Sequence, residues 1–527
     1  MKQKTNYRPI VLVVIDGWGI STNQRSILNQ IDLPTIKKMD TYYPKMALQA
    51  SGISVGLPWG EAGNSEVGHI TMGAGKIIYQ NLPRISLAIQ DGSFFENEKF
   101  INAYQRVKEN GGILHIMGLV STGVVHASTE HLYALLDMAK QQGIKNLAVH
   151  VFSDGRDSDQ RSGVEAIKNL QKKLNDIGIG QIASISGRNW AMDRNNNWDR
   201  IEKAYKAIAF GEGNQTTDPV HYLEESYKKD VTDEYVEPCV VAKDGKPIAT
   251  VKDGDAAIFF NFREDRARQM TKAFTVPSFE KFTRPETDIY FVTMVEYEED
   301  LTAQVAFPPE DVKNSLGEVL SKEKKRQLRI AETEKYAHVT YFFNGGIEEP
   351  WEGEDHALIP SPSVARFDET PEMSSPKITE TVIKKIEEGT YDFILINYAN
   401  ADMVAHTGNE EACKEAARSI DKTMSILIPA VIKAGGCLLV SSDHGNIEVT
   451  RDFQTGRINT EHDPNPVPLW FIAPDNHYEK TMEEMIREQN EVRGMLGDIA
   501  PTVLDLMGIE KPKEMHGESL LGFLKKH

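Results

Sequence analysis

The feature that most constrains this chain is a repeated pattern of short apolar runs, each ending at polar, ionisable or glycine residues. Six segments show it: PIVLVVIDGWG, GILHIMGLVSTG, LAVHVFSDGRD, AAIFFNFRED, DFILINYANAD and GCLLVSSDHGN. Apolar runs of this length that alternate with amphipathic stretches, here 130–142 and 410–434, are typical of buried parallel strands joined by crossover helices. The pattern predicts an α/β fold whose first strand runs from Ile10 to Ile15.

Polar residues cluster just after these predicted strands, where ligands bind in open parallel sheets. Oxygen and imidazole donors lie near the start of the chain and in its last third, and arginines lie between them. The donors are Asp16, Asp402, His406, Asp443, His444 and His462; the arginines are Arg156, Arg188, Arg194, Arg263 and Arg266. We therefore expect two domains: a discontinuous one over 1–79 and 313–527, and one inserted at 80–312.

Composition excludes several classes of protein. The formal net charge of −19 over 527 residues argues against nucleic-acid binding. No apolar stretch approaches the length that crosses a bilayer, and three scattered cysteines fit a reducing compartment. We expect a cytoplasmic protein with no membrane partner. Because its charge repels anions at long range, any phosphate site must be built from locally concentrated arginines or metal ions.

The carboxylates and imidazoles have the spacing of metal ligands. Asp402 and His406 are four residues apart, so a helix there would place both on one face. Asp443 and His444 are adjacent at a strand end and could reach two ions. Such donors without thiolates favour manganese first and zinc second. A single Asp–His pair is as easily a cap or a surface hydrogen bond, but two pairs together with Asp16 and His462 favour metal binding.

Ser65, in the segment GNSEVGH, is the candidate nucleophile. It stands among glycines just before a predicted helix, whose free N–H groups and dipole stabilise phosphate and a serine alkoxide. A metal ion on the hydroxyl would lower its pKa without a histidine base. The local sequence alone favours the alternative that Ser65 is only the N-cap of the helix.

The arginines are candidates for an anion site, since guanidinium groups bind phosphate and carboxylate oxygens in pairs. They lie in SDGRD, SGRNWAMDR and NFREDR, and His126 and Lys335 are further candidates. Any one arginine, above all Arg194 beside Asp193, could instead form a structural ion pair. Five of them at strand ends or next to glycines favour a specific site for phosphate or carboxylate groups.

These motifs resemble, in order and over essentially the whole length, those of the cofactor-independent phosphoglycerate mutases of the alkaline phosphatase superfamily. The resemblance implies a discontinuous alkaline-phosphatase-like α/β domain with an inserted α/β transferase domain, in a monomer. It also implies two Mn²⁺ ions and no 2,3-bisphosphoglycerate. By motif, Asp402, His406 and His462 would bind one ion and Asp16, Ser65, Asp443 and His444 the other. The residues that would bind phosphoglycerate are His126, Arg156, Asp157, Arg188, Arg194, Arg263, Arg266 and Lys335.

The mechanism expected from this resemblance is that Ser65 takes the phosphate of 3-phosphoglycerate and returns it to the other hydroxyl, with Asp157 moving protons between the hydroxyls. Two alternatives stay open. A metal-dependent phosphohydrolase, or a mutase of another sugar phosphate, would share Ser65 and the metals but not the arginine motifs. A catalytically dead metal-binding or scaffold protein would be expected to lack at least one of the seven predicted ligands.

Overall fold

The structure is a computed structural model that describes residues 7–525. Contacts between residues divide this part of the chain into two units. The first unit comprises residues 7–80 and 310–525, and the second comprises 81–309. The first unit is therefore discontinuous in sequence, and each unit has a sheet and a core of its own.

The strands and helices alternate along both units. The strands are β1 Ile10–Ile15, β2 Lys45–Gln49, β3 Leu114–Leu119, β4 Leu147–Ser153, β5 Gln181–Gly187, β6 Asn214–Thr216, β7 Cys239–Lys243, β8 Lys246–Pro247, β9 Ala256–Phe259, β10 Tyr290–Val295, β11 Gln304–Phe307, β12 Gln327–Glu332, β13 Glu354–Ile359, β14 Phe393–Tyr398, β15 Cys437–Ser441, β16 Val467–Ile472 and β17 Val492–Met495.

The α-helices range from one turn to 24 residues in length. They are α1 Ile27–Gln30, α2 Pro34–Tyr42, α3 Ser65–Ala74, α4 Asn81–Asp91, α5 Glu98–Asn110, α6 Thr129–Gln141, α7 Gly163–Ile177, α8 Arg188–Ala191, α9 Trp198–Ala209, α10 Pro219–Lys228, α11 Arg268–Thr275, α12 Leu316–Lys322, α13 Ser375–Glu388, α14 Asn400–Ala405, α15 Glu410–Lys433, α16 Met482–Asn490, α17 Ile499–Met507 and α18 Leu521–Leu524. Short 3₁₀ turns and a π-helix at His338–Phe342 complete the set described.

The sheet of the first unit has the strand order β13-β12-β14-β1-β15-β16-β2-β17 among the described residues. Its central strands are parallel, with β1 aligned between β14 and β15. All six residues of β1 are buried, because helices or loops cover both faces of the sheet. One strand, β16, runs antiparallel to both of its neighbours.

The sheet of the second unit has the strand order β11-β10-β9-β3-β4-β5-β7-β6 within the described part of the chain, and β8 pairs with β7. The strands β9, β3, β4 and β5 are adjacent and parallel. A single large apolar core surrounds them, in which Phe152, Phe259 and Phe260 are fully buried. The carboxyl ends of these four strands therefore meet at one edge.

The expected α/β fold class is confirmed, and each of the six apolar runs forms a strand that is parallel to a neighbour. The amphipathic stretches predicted at 130–142 and 410–434 are the helices α6 and α15. Antiparallel β16 and β7 depart from the parallel pattern, and each lies towards one side of its sheet, outside the parallel core. Within residues 7–525, no helix is long and apolar enough to span a bilayer.

Candidate active site

The first unit gathers its functional residues at one edge of the sheet. The adjacent parallel strands β12, β14, β1 and β15 all end there. Lys335, Asp402, Asp16 and Asp443 follow these four strands within one to four residues. All four side chains are buried, so the sheet holds three carboxylates and one ammonium group close together out of water.

Ser65 is the first residue of α3 and lies in the middle of this group. Its Oγ donates to Asp16 Oδ1 at 3.1 Å, lies 3.1 Å from His444 Nε2, and accepts from Lys335 Nζ at 2.7 Å. The alternative that Ser65 is merely the N-cap is wrong, because the side chain of Asn64 caps the helix by accepting from the Val67 N–H. The Ser65 hydroxyl is thereby free for the charged groups.

The predicted metal ligands form overlapping groups whose donor atoms lie within 4.8 Å of one another. One group is Asp402, His406 and His462; a second is Asp16, Asp402 and His444; a third is Asp16, His69 and Asp443. The first group matches the set expected for one ion. Of the residues expected for the other ion, Asp16, Asp443 and His444 are divided between the second and third groups, which also contain Asp402 and His69.

The imidazoles are oriented as metal ligands usually are. His406 Nδ1 lies 2.8 Å from the Thr460 carbonyl oxygen, and His462 Nδ1 lies 2.8 Å from that of Gly63. A ring whose Nδ1–H donates to a carbonyl presents an unprotonated Nε2, and both Nε2 atoms lie 3.3 Å from Asp402 Oδ1. Asp443 Oδ2 is buried without a hydrogen-bond partner. The donor set therefore fits divalent ions.

The charges of this centre shift the pKa values of its groups. Burial would raise the pKa of Asp402, but Lys335 and the neighbouring imidazoles of His406 and His462 hold it well below its usual range. Burial would lower the pKa of His444, but Asp443 and Asp16 raise it to about 10. The Lys335 pKa is likewise raised against burial by Asp16 and Asp402. Cationic side chains thus balance the buried carboxylates.

Three further residues of this centre escaped sequence reasoning. His69 Nδ1 lies 2.8 Å from the Ser65 carbonyl oxygen and 3.3 Å from Asp443 Oδ2. Asn397 donates to Asp16 Oδ2 at 2.7 Å, and Asn446 donates to Asp402 Oδ1 at 2.7 Å. Signals existed: His69 is four residues after Ser65, and Asn397 is a polar residue inside an apolar strand.

Lys335, which the sequence analysis grouped with the arginines as a candidate for anion binding, lies in the first unit among these carboxylates. Its Nζ donates at 2.7 Å to Asp16 Oδ1, to Ser65 Oγ and to Asp402 Oδ2. The remaining candidates for anion binding all lie in the second unit.

In the second unit, the candidates follow the adjacent strands β9, β3, β4 and β5. Arg188 is buried, and its Nη1 donates at 2.6 Å to both Asp154 Oδ1 and Asp157 Oδ2. His126 Nε2 lies 3.7 Å from Asp157 Oδ2. Burial, and secondarily Arg188, lower the pKa of His126 to about 4. Asp154 was not predicted from the sequence. It also accepts hydrogen bonds from Ser121 Oγ and from two N–H groups of its own loop.

The more exposed arginines converge on Asp265, which was also not anticipated. Arg194 Nη1 lies 2.8 Å from Asp265 Oδ2, and Arg263 Nε lies 3.3 Å from Oδ1. Arg194 therefore pairs with Asp265 and not with its neighbour Asp193. Burial lowers the pKa of Arg266, and the charges of the nearby Arg188, Arg194 and Arg156 lower it further. The second unit thus gathers guanidinium groups and paired carboxylates at one sheet edge.

The first unit places a serine among candidate metal ligands, and the second unit carries a cluster of arginines; both features are typical of α/β enzymes that transfer phosphoryl groups. A family model described as the BPG-independent PGAM N-terminus matches residues 85–299. The 2,3-bisphosphoglycerate-independent phosphoglycerate mutase of Clostridium novyi is 47% identical over 97% of this chain and 99% of its own length. That of Moorella thermoacetica is 46% identical over 98% of each chain.

A solved structure of Leishmania mexicana phosphoglycerate mutase at low cobalt concentration is also similar. It is 29% identical, with a TM-score of 0.53 over 98% of each chain. The chain belongs to the family of 2,3-bisphosphoglycerate-independent phosphoglycerate mutases.

Proposed function

We propose that the protein interconverts 3-phosphoglycerate and 2-phosphoglycerate through a phosphoserine on Ser65, using two Mn²⁺ ions and no 2,3-bisphosphoglycerate. The observation that carries this proposal is the position of the Ser65 hydroxyl, which contacts Asp16, His444 and Lys335 at once. Family membership supports the overall reaction. The geometry of the first unit supports the nucleophile.

The ions would be held by Asp402, His406 and His462 on one side and by Asp16, Ser65, Asp443 and His444 on the other. When bound, such ions neutralise phosphate charge and favour the ionised form of a hydroxyl. Zinc or another divalent ion would satisfy the same donors, since no thiolate is among them. Manganese is the first choice for these carboxylates and imidazoles.

Ser65 Oγ would attack the phosphorus of 3-phosphoglycerate, forming one P–O bond as the bond to the glycerate oxygen breaks. The Ser65 proton has Asp16 Oδ1 at 3.1 Å as an acceptor. Lys335 Nζ, at 2.7 Å from Ser65 Oγ, would compensate charge that develops on the phosphoryl oxygens. In the return step, the 2-hydroxyl of glycerate would attack phosphoserine and release Ser65.

The second unit would bind the phosphoglycerate itself. Arginine forks suit its carboxylate and phosphate oxygens, and we assign this role to His126, Arg156, Asp157, Arg188, Arg194, Arg263 and Arg266. Asp157 would also carry the proton between the two hydroxyls of glycerate. Its Oδ2 is held by Arg188 at 2.6 Å, which fixes the carboxylate in one orientation. We further propose that the protein is a cytoplasmic monomer. Light scattering of the purified protein would test whether it is a monomer.

The decisive experiment is a coupled assay for 2-phosphoglycerate with metal-stripped protein, added Mn²⁺ and no bisphosphoglycerate. Isomerisation should require Mn²⁺ and should fall by at least ~10⁴-fold in Ser65→Ala, because the variant lacks the hydroxyl that takes the phosphate. Ser425→Ala, at an exposed position of α15, is the matched control and should retain full activity. Phosphopeptide mapping of acid-quenched protein should locate the phosphate on Ser65.

Two results would contradict the proposal. Release of inorganic phosphate without isomerisation would favour a metal-dependent phosphohydrolase. Full activity of Ser65→Ala would exclude the phosphoserine, whatever the overall reaction.

A further inference from the structure

Glu448 is a fully buried carboxylate that the proposed reaction does not use. It lies four residues after His444 and belongs to none of the three groups of candidate metal ligands. Its Oε2 accepts from the N–H groups of Gly19 and Asn446, each at 2.9 Å. Its Oε1 accepts from Asn465 Nδ2 at 3.2 Å.

These three partners lie on three different loops that carry candidate ligands. Gly19 is three residues after Asp16, and Asn446 is two residues after His444. Asn465 is three residues after His462. One carboxylate therefore accepts hydrogen bonds from three loops. In each loop, a candidate metal ligand lies two or three residues before the residue that donates the bond.

The connection extends to a fourth candidate ligand. The side chain of Asn446, whose N–H is held by Glu448, donates to Asp402 Oδ1 at 2.7 Å. The loop after Asp16 is also bound to the same region, since the Ile447 N–H donates to the Gly17 carbonyl oxygen at 3.0 Å. Displacement of Glu448 would thus release several ligand-bearing segments together.

The chain leaves space for this carboxylate at two glycines. A Cβ at Gly19 would lie 2.0 Å from Glu448 Oε1, and a Cβ at Gly445 would lie 2.3 Å from the same atom. Neither glycine has a positive φ. The close approach of the carboxylate, and not backbone conformation, therefore excludes a side chain at these positions.

The cost of burying Glu448 also needs a reason. Burial, and secondarily the neighbouring Asp463, raise the pKa of Glu448 to about 7. A carboxyl group in such surroundings contributes little to stability compared with a well-packed apolar residue. Its three hydrogen bonds fix loop geometry, which an apolar side chain could not do.

We propose that Glu448 is a positioning residue of the metal centre, which holds the loops after Asp16, His444 and His462 in the arrangement that binds the ions. The inference rests on the metal centre described under the proposed function. Partners of this kind, one step removed from the ion, typically change metal affinity by about 10-fold to 100-fold when removed.

The test is a titration of metal-stripped protein with Mn²⁺, in which electron paramagnetic resonance measures the free ion. Glu448→Ala should weaken binding by about 10-fold to 100-fold. Glu448→Gln should keep most of the affinity, because its oxygen can accept both N–H groups and its amide can face a rotated Asn465. A loss of folding is monitored by thermal unfolding of each variant.

Ile386→Ala is the matched control for destabilisation. Ile386 is buried near the end of α13, away from the ligand-bearing loops, and its truncation creates a cavity in the same unit. Its unfolding temperature should fall while its affinity for Mn²⁺ stays at the wild-type value. If Glu448→Ala acts only through stability, the two variants should lose affinity in proportion to their loss of unfolding temperature.

Gly19→Ala provides an independent variant, because the added methyl group collides with Glu448. It should weaken Mn²⁺ binding in the presence of Glu448 but cause little further loss in Glu448→Ala. Wild-type affinity in Glu448→Ala, or equal loss in Ile386→Ala, would overturn the positioning role. Absence of Mn²⁺ binding by the wild-type protein would instead overturn the metal centre of the proposed function, and this inference with it.

Discussion

Acidification should destabilise the second unit through histidines that are buried in their neutral form, and His131 allows the effect to be isolated. His131 lies on α6 with no exposed surface, and its Nε2 is 3.1 Å from Ser86 Oγ. Burial alone lowers its pKa from 6.5 to about 4. At pH values between these two pKa values, the unfolded chain binds more protons than the folded unit. The unfolding free energy therefore falls as the pH falls from 6.5 towards 4.

The magnitude follows from the two pKa values. Lowering the pH from about 7 to about 5 should cost about 2 kcal/mol through His131 alone. For a unit of this size, that corresponds to about 4–8 °C in unfolding temperature. His131→Leu removes the titrating group, and its unfolding temperature should therefore fall by that much less than the wild-type value on acidification.

The assay is differential scanning calorimetry of metal-free protein at both pH values. The quantity of interest is the difference between wild type and variant in the pH-induced shift, from which metal-ligand titrations cancel. His221→Leu, at an exposed position of α10, is the matched control and should show the wild-type shift. An unchanged shift in His131→Leu would refute the reasoning, because burial would then not keep this imidazole neutral.

Three other substitutions have defined outcomes. Lys335→Met should lower the unfolding free energy of the metal-free protein by ~3–5 kcal/mol, because it leaves buried carboxylates unpaired. Chemical denaturation measures this free energy, and an unchanged denaturation midpoint would contradict the prediction. Arg188→Lys should lower the unfolding free energy by ~1–3 kcal/mol and reduce kcat/KM, since an ammonium group cannot reproduce the contacts to Asp154 and Asp157. Calorimetry measures the first effect and steady-state kinetics the second, and wild-type values in both would contradict the prediction. Gly73→Ala should destabilise the first unit by ~1–3 kcal/mol, as its Cβ would lie 1.9 Å from the Phe343 carbonyl oxygen; a wild-type unfolding temperature would show that α3 can shift freely.

Much of the fold was accessible from sequence because parallel strands buried on both faces give long apolar runs. The run before Asp16 forms β1, and the run before Asp402 forms β14, with a short helix that brings Asp402 and His406 to one side. The sequence could not predict the direction of β16. Its run VPLWFI has the same apolar character as the parallel strands, and only pairing with β15 and β2 determines that it is antiparallel.

The candidate site was accessible where its residues share a motif and inaccessible where they meet only in the folded chain. Ser65 and Asp443 stand in recognisable segments, but Asp265 looks like one more charge in NFREDR until the fold brings Arg194 to it. Lys335 was selected from its motif as a candidate for anion binding. Only the strand order, with β12 beside β14, places it next to Ser65.

The proposed anion site has to work in a protein whose net charge is −19, and the arrangement of its arginines suits this task. In the second unit the more exposed arginines already form ion pairs: Arg194 and Arg263 both contact Asp265, and Arg156 contacts Glu234. These side chains are roughly half exposed, at 47%, 49% and 54%, so water screens the pairs and each contributes little to stability. In the proposed function, an incoming carboxylate or phosphate would replace Asp265 at these arginines at low cost. Buried Arg188 differs, because exchange of its partners would leave Asp154 without its cation.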